Sequence, residues 1–497
     1  MGQAERKVVV IGAGIGGLAA AAALARRGLD VTVLEAHIYP GGCAGTFYHQ
    51  GYRFDAGATL AGGFYPGGPM ELLARSAGIP AWPVQQLEPA MRVHLPGGRQ
   101  VDLVGDETRW ERRQEAFGAA SLDFWRWQES TADSLWDLAM RMPAWPPQTL
   151  GDTANLARSG LHWLGLAPGG AHPLRLGFDA LQPLGNRLPS RHPILKTFID
   201  AQLLISAQAT SSTANALFGA AALDLPRRGT VGVCGGVGAI AQALALAVRQ
   251  HGGRVEFRSR ARRITRDSSS SITGVETEKG AWFPADAVIA NLTPPDLSRI
   301  LDKPPTGFSR RGLTHAPPPD GWGAFMLYLG VKDELISPGT PLHHQVIARE
   351  PLGEGNSVFM SISPEWDPGR APAGMRAVTL STHTRPRQWF ELKERDEAAY
   401  EAKKLALQNA MLSHAANIFP GLDRPDFIMP GSPLSFARFT GRSGGWVGGF
   451  PQTSLVRNLP PRVGRSLWIV GDSIFPGQSI PATALGGLRV ASMLANS

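Results

Sequence analysis

Three glycines spaced Gly12-x-Gly14-x-x-Gly17 follow the apolar run Lys7–Ile11 and open an Ala- and Leu-rich segment. That spacing suits a diphosphate. Gly12 permits a tight turn, Gly14 lets the backbone approach the anion, and Gly17 lets a helix pack closely on a sheet. The amide groups at the helix start favour the negative charge. Glu35 ends the β-branched run Val31–Leu34, where a carboxylate accepts hydrogen bonds from a ribose hydroxyl. Strand, glycines, helix, strand and acid in that order point to a dinucleotide, NAD or FAD.

Two further features favour FAD. Pro40-Gly41-Gly42 follows Glu35 closely and can return a loop over the cofactor. Near the other terminus, Gly471-Asp472 ends a second apolar strand and precedes a Gly/Pro-rich turn and a helix. A carboxylate at Asp472 offers a partner for ribityl hydroxyls, and the amides of the final helix face a flavin ring. Alone, Asp472 would read as a turn residue or helix cap; in combination with the N-terminal unit it reads as a ligand.

The elements that must hold these residues form an α/β fold. The first strand, helix and second strand make a βαβ unit with a buried parallel sheet. A hairpin is expected around Pro96-Gly97-Gly98. Between 106 and 225 the pattern turns helical, with six tryptophans at 110, 125, 127, 136, 145 and 163. Leu135, Leu138 and Met142, and Leu195, Ile199 and Leu203, have helical spacing. The basic run Arg254 to Arg266 alternates like a pair of strands, and Ala287–Ala290 reads as a buried strand. Strands are expected at 324–331, 357–362 and 377–381, a helix near 398–418, and a last strand and helix at 467–472 and 482–495. The expected organisation is a discontinuous cofactor domain (1–75, 226–300 and 456–497) and a substrate-binding, membrane-associating region (76–225 and 301–455).

With 497 residues, 43% hydrophobic and 18% charged, the chain can bury a sizeable core and is not disordered as a whole. The length suits two or three domains. Its two cysteines, Cys43 and Cys234, exclude a multi-disulfide scaffold and a zinc site built on several thiolates, so no metal is expected. Lys and Arg number 49 against 41 acids, a net charge of +8. Arginines dominate and are scattered, which fits codon bias or anionic lipid head groups rather than nucleic acid. The apolar N-terminus is too glycine-rich for a membrane span.

The segments GGCAGTFYHQGYRFDAGATL (41–60) and GDSIFPGQSIPATALGGLRVA (471–491) resemble the carotenoid desaturase and isomerase family of flavoproteins. The likeness spans the chain, the middle matching mainly in layout. Within the family it is most similar to carotenoid C-3′,4′ desaturases, through Cys43, the GATLAGG run (57–63) and FIDAQLLISAQ (198–208). The resemblance implies a Rossmann-like FAD domain of the GR2 flavoprotein type with an inserted mixed sheet and helical substrate or membrane domain. It implies cofactor contacts at Gly12, Gly14, Gly17, Glu35, Gly41, Gly42, Gly471 and Asp472, with the backbone near Ile480 beside the flavin ring. A residue between Arg262 and Ile264 is expected against adenine. Many phytoene desaturases carry Arg after the Gly-Gly pair; Cys43 stands there instead, so the phosphate charge falls to the backbone or another side chain. The thiol itself reads as small and buried rather than redox-active.

The implied reaction is FAD-dependent desaturation of a C40 carotenoid by hydride transfer to flavin. Oxygen or a quinone would be the electron acceptor, and the enzyme would sit peripherally on the cytoplasmic side of a membrane. Such chemistry needs no nucleophile, and no catalytic residue is assigned; His49, Asp55, His343, His344 and His383 are conceivable bases. The tryptophans read either as helical core or as a membrane-dipping surface. Competing expectations are a carotenoid cis–trans isomerase using reduced FAD, an amine oxidase with an aromatic cage, and a non-catalytic lipid escort of the same fold.

Overall fold

The computed structural model describes residues 6–166, 173–302, 321–449, 451–455 and 458–496. Lys7–Ile11 and Asp30–Leu34 pair in parallel, one residue longer at the second strand than the apolar run. They form the middle of a six-stranded sheet whose order is Arg462–Gly464, Leu467–Ile469, Ala287–Ala290, Lys7–Ile11, Asp30–Leu34 and Arg254–Glu256. Only the edge pair at Arg462–Gly464 is antiparallel. Parallel strands buried on both faces read as continuous apolar runs, as Val8–Ile11 does.

The helix Ile15–Ala25 is buried along its whole length. The final helix Ile480–Ala495 lies against it so closely that a Cβ on Gly487 would stand 2.3 Å from the Gly16 carbonyl oxygen. The two chain ends therefore meet through small residues, which no periodicity reveals.

A second sheet has seven strands in the order Phe427–Gly431, Gly323–Lys332, Met375–Thr384, Ser357–Ile362, His343–Ile347, Met91–His94 and Gln100–Leu103. The last two form the expected hairpin. His343–Ile347 was not foreseen, because its two histidines break the apolar pattern; all five residues are buried. Along Gly323–Lys332 the side chains alternate. Phe325, Leu327, Leu329 and Val331 face a core shared with the helices Pro386–Arg395 and Glu397–Ala416. Ala324, Met326 and Tyr328 face the opposite side. The hairpin Thr46–Asp55 packs there too, with Tyr52 and Phe54 stacked on Phe427.

The stretch 109–223 is helical as expected, with Leu195, Ile199 and Leu203 all buried in its core. The long helix Leu122–Met140 ends before Met142, whose φ of +50° lies outside helical geometry, so that residue does not continue the spacing. Trp125, Trp127 and Trp136 are at most 7% exposed. They are core residues, which corrects the membrane-surface reading for these three; Trp163 lies outside the residues whose side chains are described. The basic run also differs from expectation. Arg254–Glu256 joins the six-stranded sheet, while Ala261–Arg266 pairs with Ile272–Thr277 in a separate three-stranded sheet, so they are not partners.

Candidate functional site

One cavity of ≈ 540 Å³ runs from the carboxyl end of the first strand to the face of the seven-stranded sheet. Its first section is lined by Gly12, Gly14, Glu35, Gly41, Gly42, Gly471, Asp472 and Ile480. Eight of the nine residues expected around a dinucleotide thus share one wall system, although 14 and 472 stand at opposite ends of the chain. The ninth, Gly17, lies underneath, where a Cβ would stand 2.4 Å from the Gly12 carbonyl oxygen. It serves close packing, as its place in the motif suggests.

The first helix starts at Gly14 with no side-chain cap and no acid in its first turn. Its leading amides are therefore left for an anion. Gly12 has φ of +95° and Gly41 +116°, both in the region that glycine tolerates. The Gly41 N–H donates to the Ala13 carbonyl at 2.8 Å and holds the second glycine loop against the first. These uncapped amides and Cβ-free backbones form a cradle that fits the diphosphate of FAD. Glu35 accepts from the Ala13 N–H at 2.7 Å and the His37 N–H at 2.7 Å, which fixes its carboxylate at the cavity wall. Ser479 caps the final helix by accepting from Ala482 N–H, and Ile480 beside it lines the cavity.

Three features of this section were missed in the sequence. Asn291 sits just past the strand Ala287–Ala290, and a Cβ on Gly14 would come within 2.3 Å of its Nδ2. The polar residue ending a buried strand was the available signal. Arg442 donates to Asp472 Oδ2 at 2.5 Å from a loop 30 residues earlier. No local pattern marked it. The wall expected from Arg262 to Ile264 is instead made by Arg260 and Ala261. A register shift in that strand turns Arg262 outward and sinks Ile264 into the core.

Cys43 lines the cavity as well. Burial pushes its thiol up, only partly offset by the nearby Arg442 guanidinium, so it stays protonated and unreactive at neutral pH.

The second section lies between the sheet face and the helix Pro193–Ala207. Leu60, Ile205, Leu225, Ala324, Met326, Phe359 and Val447 line it. The acids among the lining residues, Glu35, Glu278, Asp296 and Asp472, stand with the dinucleotide section or its loops. Of the five conceivable bases, only His383 lines the cavity. Burial, reinforced by Arg385, holds its pKa down at about 4 against a hydrogen bond to the Leu204 backbone; its Nε2 stands 3.3 Å from Gln208 Nε2. Asp55 is committed elsewhere. It accepts from Thr46 Oγ1 at 2.6 Å and Val237 N–H at 2.9 Å and pairs with Arg370 at 3.0 Å. His343 bonds Ser361, and His344 bonds His94 at 3.0 Å, both away from the cavity wall. His49 lies on the Thr46–Asp55 hairpin beside Phe427. No group of three metal-binding side chains occurs among the described residues.

The family model for flavin containing amine oxidoreductase matches residues 15–411. The chloroplastic prolycopene isomerase of Arabidopsis thaliana is 28% identical over 99% of this chain and 83% of its own length. The carotenoid 3,4-desaturase of Haloarcula japonica is 24% identical over 73% of this chain and 67% of its own. Among solved structures, putrescine oxidase bound to putrescine superposes with a TM-score of 0.64 over 99% of this chain and 100% of its own, at 17% identity. That last likeness speaks to the fold.

Proposed function

We propose that this chain, which belongs to the family of flavin-containing amine oxidoreductases and takes FAD, is a carotenoid desaturase that forms the C-3′,4′ double bond of a C40 substrate. The observation that carries this reading is the second section of the cavity. It is largely apolar, opens on the dinucleotide cradle and holds no acid to meet an ammonium ion. Among the described residues that line this section, Phe359 is the one Phe, Tyr or Trp side chain, so the paired rings of an amine-binding cage are missing there.

When bound, FAD would supply a two-electron hydride acceptor for an allylic carbon whose conjugated chain spreads the developing positive charge. The chain's own residues do the rest. The amides of the first helix and the glycine loops would hold the diphosphate, while Glu35 and Asp472 would hold sugar hydroxyls. Ala324 and the unbranched, adaptable Met326 line the sheet face along which a rod-like polyene would lie, and Ile205 and Leu225 add apolar wall that would help exclude water. His383 lines this section as a neutral imidazole whose protonated form burial disfavours, so the proton lost from the neighbouring carbon would pass to solvent rather than rest there. Turnover then needs an acceptor, oxygen or a membrane quinone.

Leu174, Phe178 and Leu181 repeat at helical spacing and are 78%, 64% and 79% exposed. These exposed apolar side chains give the helical region a surface suited to lying on a bilayer, where a carotenoid dissolves; Leu150, on a separate helix, is 91% exposed as well. No helix among the described residues is long and apolar enough to cross a membrane.

The near-full-length likeness to a prolycopene isomerase favours a second reading, cis–trans isomerisation with reduced FAD. Expression in a host making acyclic carotenoids, followed by pigment mass analysis, separates the two. Loss of two hydrogens supports desaturation. An isomer of unchanged mass supports the second reading, and unchanged pigments sink both.

A further inference from the structure

The diphosphate of the bound dinucleotide carries charge that position 43 does not answer, since Cys43 is a protonated thiol. Three arginines line the cavity: Arg260, Arg299 and Arg442. Arg260 faces Glu278 and its side chain is 44% exposed. Arg299 is tied to Asp296 and is 66% exposed. Arg442 differs from both. Its side chain is 20% exposed, it enters from the turn after the helix Pro433–Thr440, and it lies beside Cys43 and Asp472.

Only part of its fork is used. Nη2 donates to Asp472 Oδ2 at 2.5 Å, whereas Nη1 is buried and has no partner. A buried N–H without an acceptor is costly, and a guanidinium presents several donors in a planar fork suited to two oxygens at once. Burial works against the charge of Arg442, but Asp472 outweighs it and keeps the guanidinium protonated. The cavity wall therefore holds a permanent cation with one nitrogen that finds no acceptor in the protein.

We infer that Arg442 is a cofactor-binding residue whose free Nη1 meets a phosphate oxygen of the dinucleotide while Nη2 holds Asp472. One side chain from the substrate half thereby fills the role that Cys43 leaves vacant in the glycine loop. The inference rests on FAD being the cofactor, and its ligand class is the diphosphate, not the flavin ring.

The test compares ligands with and without phosphate on the apoprotein. Arg442→Gln should weaken FAD binding roughly tenfold to a hundredfold, the range for a charged hydrogen bond. Riboflavin, which lacks the diphosphate, should bind the variant and the parent alike. Arg442→Lys keeps the charge beside Asp472 but loses the fork, and should bind FAD more tightly than Arg442→Gln and less tightly than the parent. This guards against a misfolded glutamine variant. Cys43→Arg placed in the Arg442→Gln background should recover FAD binding by returning a cation to the same phosphates. Unchanged FAD affinity in Arg442→Gln overturns the inference. So does an equal loss for FAD and riboflavin, which would make Arg442 a wall of the cavity rather than a phosphate ligand. A parent protein that binds no FAD would instead refute the cofactor assignment.

Discussion

The two sections of the cavity are built by opposite means. The cradle is backbone: Gly12, Gly14, Gly41, Gly42 and Gly471 bring amides and Cβ-free surfaces to the wall, and all but Gly14 sit in turns of positive φ. The slot is side chain: Ala324, Met326, Phe359 and His383 project from three neighbouring strands, and their identities set its width and polarity. The difference teaches where each half can vary. A backbone site tolerates almost no added atom, whereas a side-chain site changes its ligand by changing residue size.

The sharpest way to break this comparison is Gly14→Val. The new Cβ would stand 2.3 Å from Asn291 Nδ2 before any branch is added, so Asn291 or the loop must shift, and the valine methyls would crowd the wall where the diphosphate would lie. The purified variant should carry no flavin absorption band and melt at lower temperature. Full flavin occupancy would show that the cradle is not the binding site.

Ala324→Phe probes the slot. It should cost about 1–3 kcal/mol of stability through overpacking. It should leave bound flavin near parent levels and abolish conversion of a carotenoid in the pigment assay. Simultaneous loss of flavin would mean that the two sections are not separable.

A smaller effect comes from pH, and it belongs to the slot half. Burial is the first cause holding His343 at about 3 and His94, His344 and His383 at about 4. In the unfolded chain each returns to about 6.5. Between pH 6.5 and 4 the unfolded state thus binds more protons, so stability falls as pH drops through that window and is complete above it. Melting at pH 5 should occur several degrees below melting at pH 7. His343→Phe, which removes one such group, should reduce that difference. An unchanged pH dependence would argue that the strand His343–Ile347 is solvated.

Much of the cradle was legible because it depends on short spacing. Glycines two and three residues apart, an acid after a β-branched run and a Gly-Asp pair after an apolar strand are local devices, and local devices leave local patterns. The helical stretch 109–223 was legible for the same reason, through the spacing of Leu195, Ile199 and Leu203. Its tryptophans were ambiguous because one amphipathic side chain suits both a core and a lipid boundary. The strand His343–Ile347 was hidden because its polar residues are satisfied by partners distant in sequence, His94 and Ser361.

The glycine turns, the family and the α/β fold class were readable in the residues alone, because turn geometry and apolar periodicity act over a few residues. Only the tertiary structure decided that Asn291 backs Gly14, that Arg442 reaches Asp472, and that His383 alone of five candidates lines the cavity. Each of those depends on side chains brought together by sheet order and helix packing, which fix distances between segments that no spacing along the chain records.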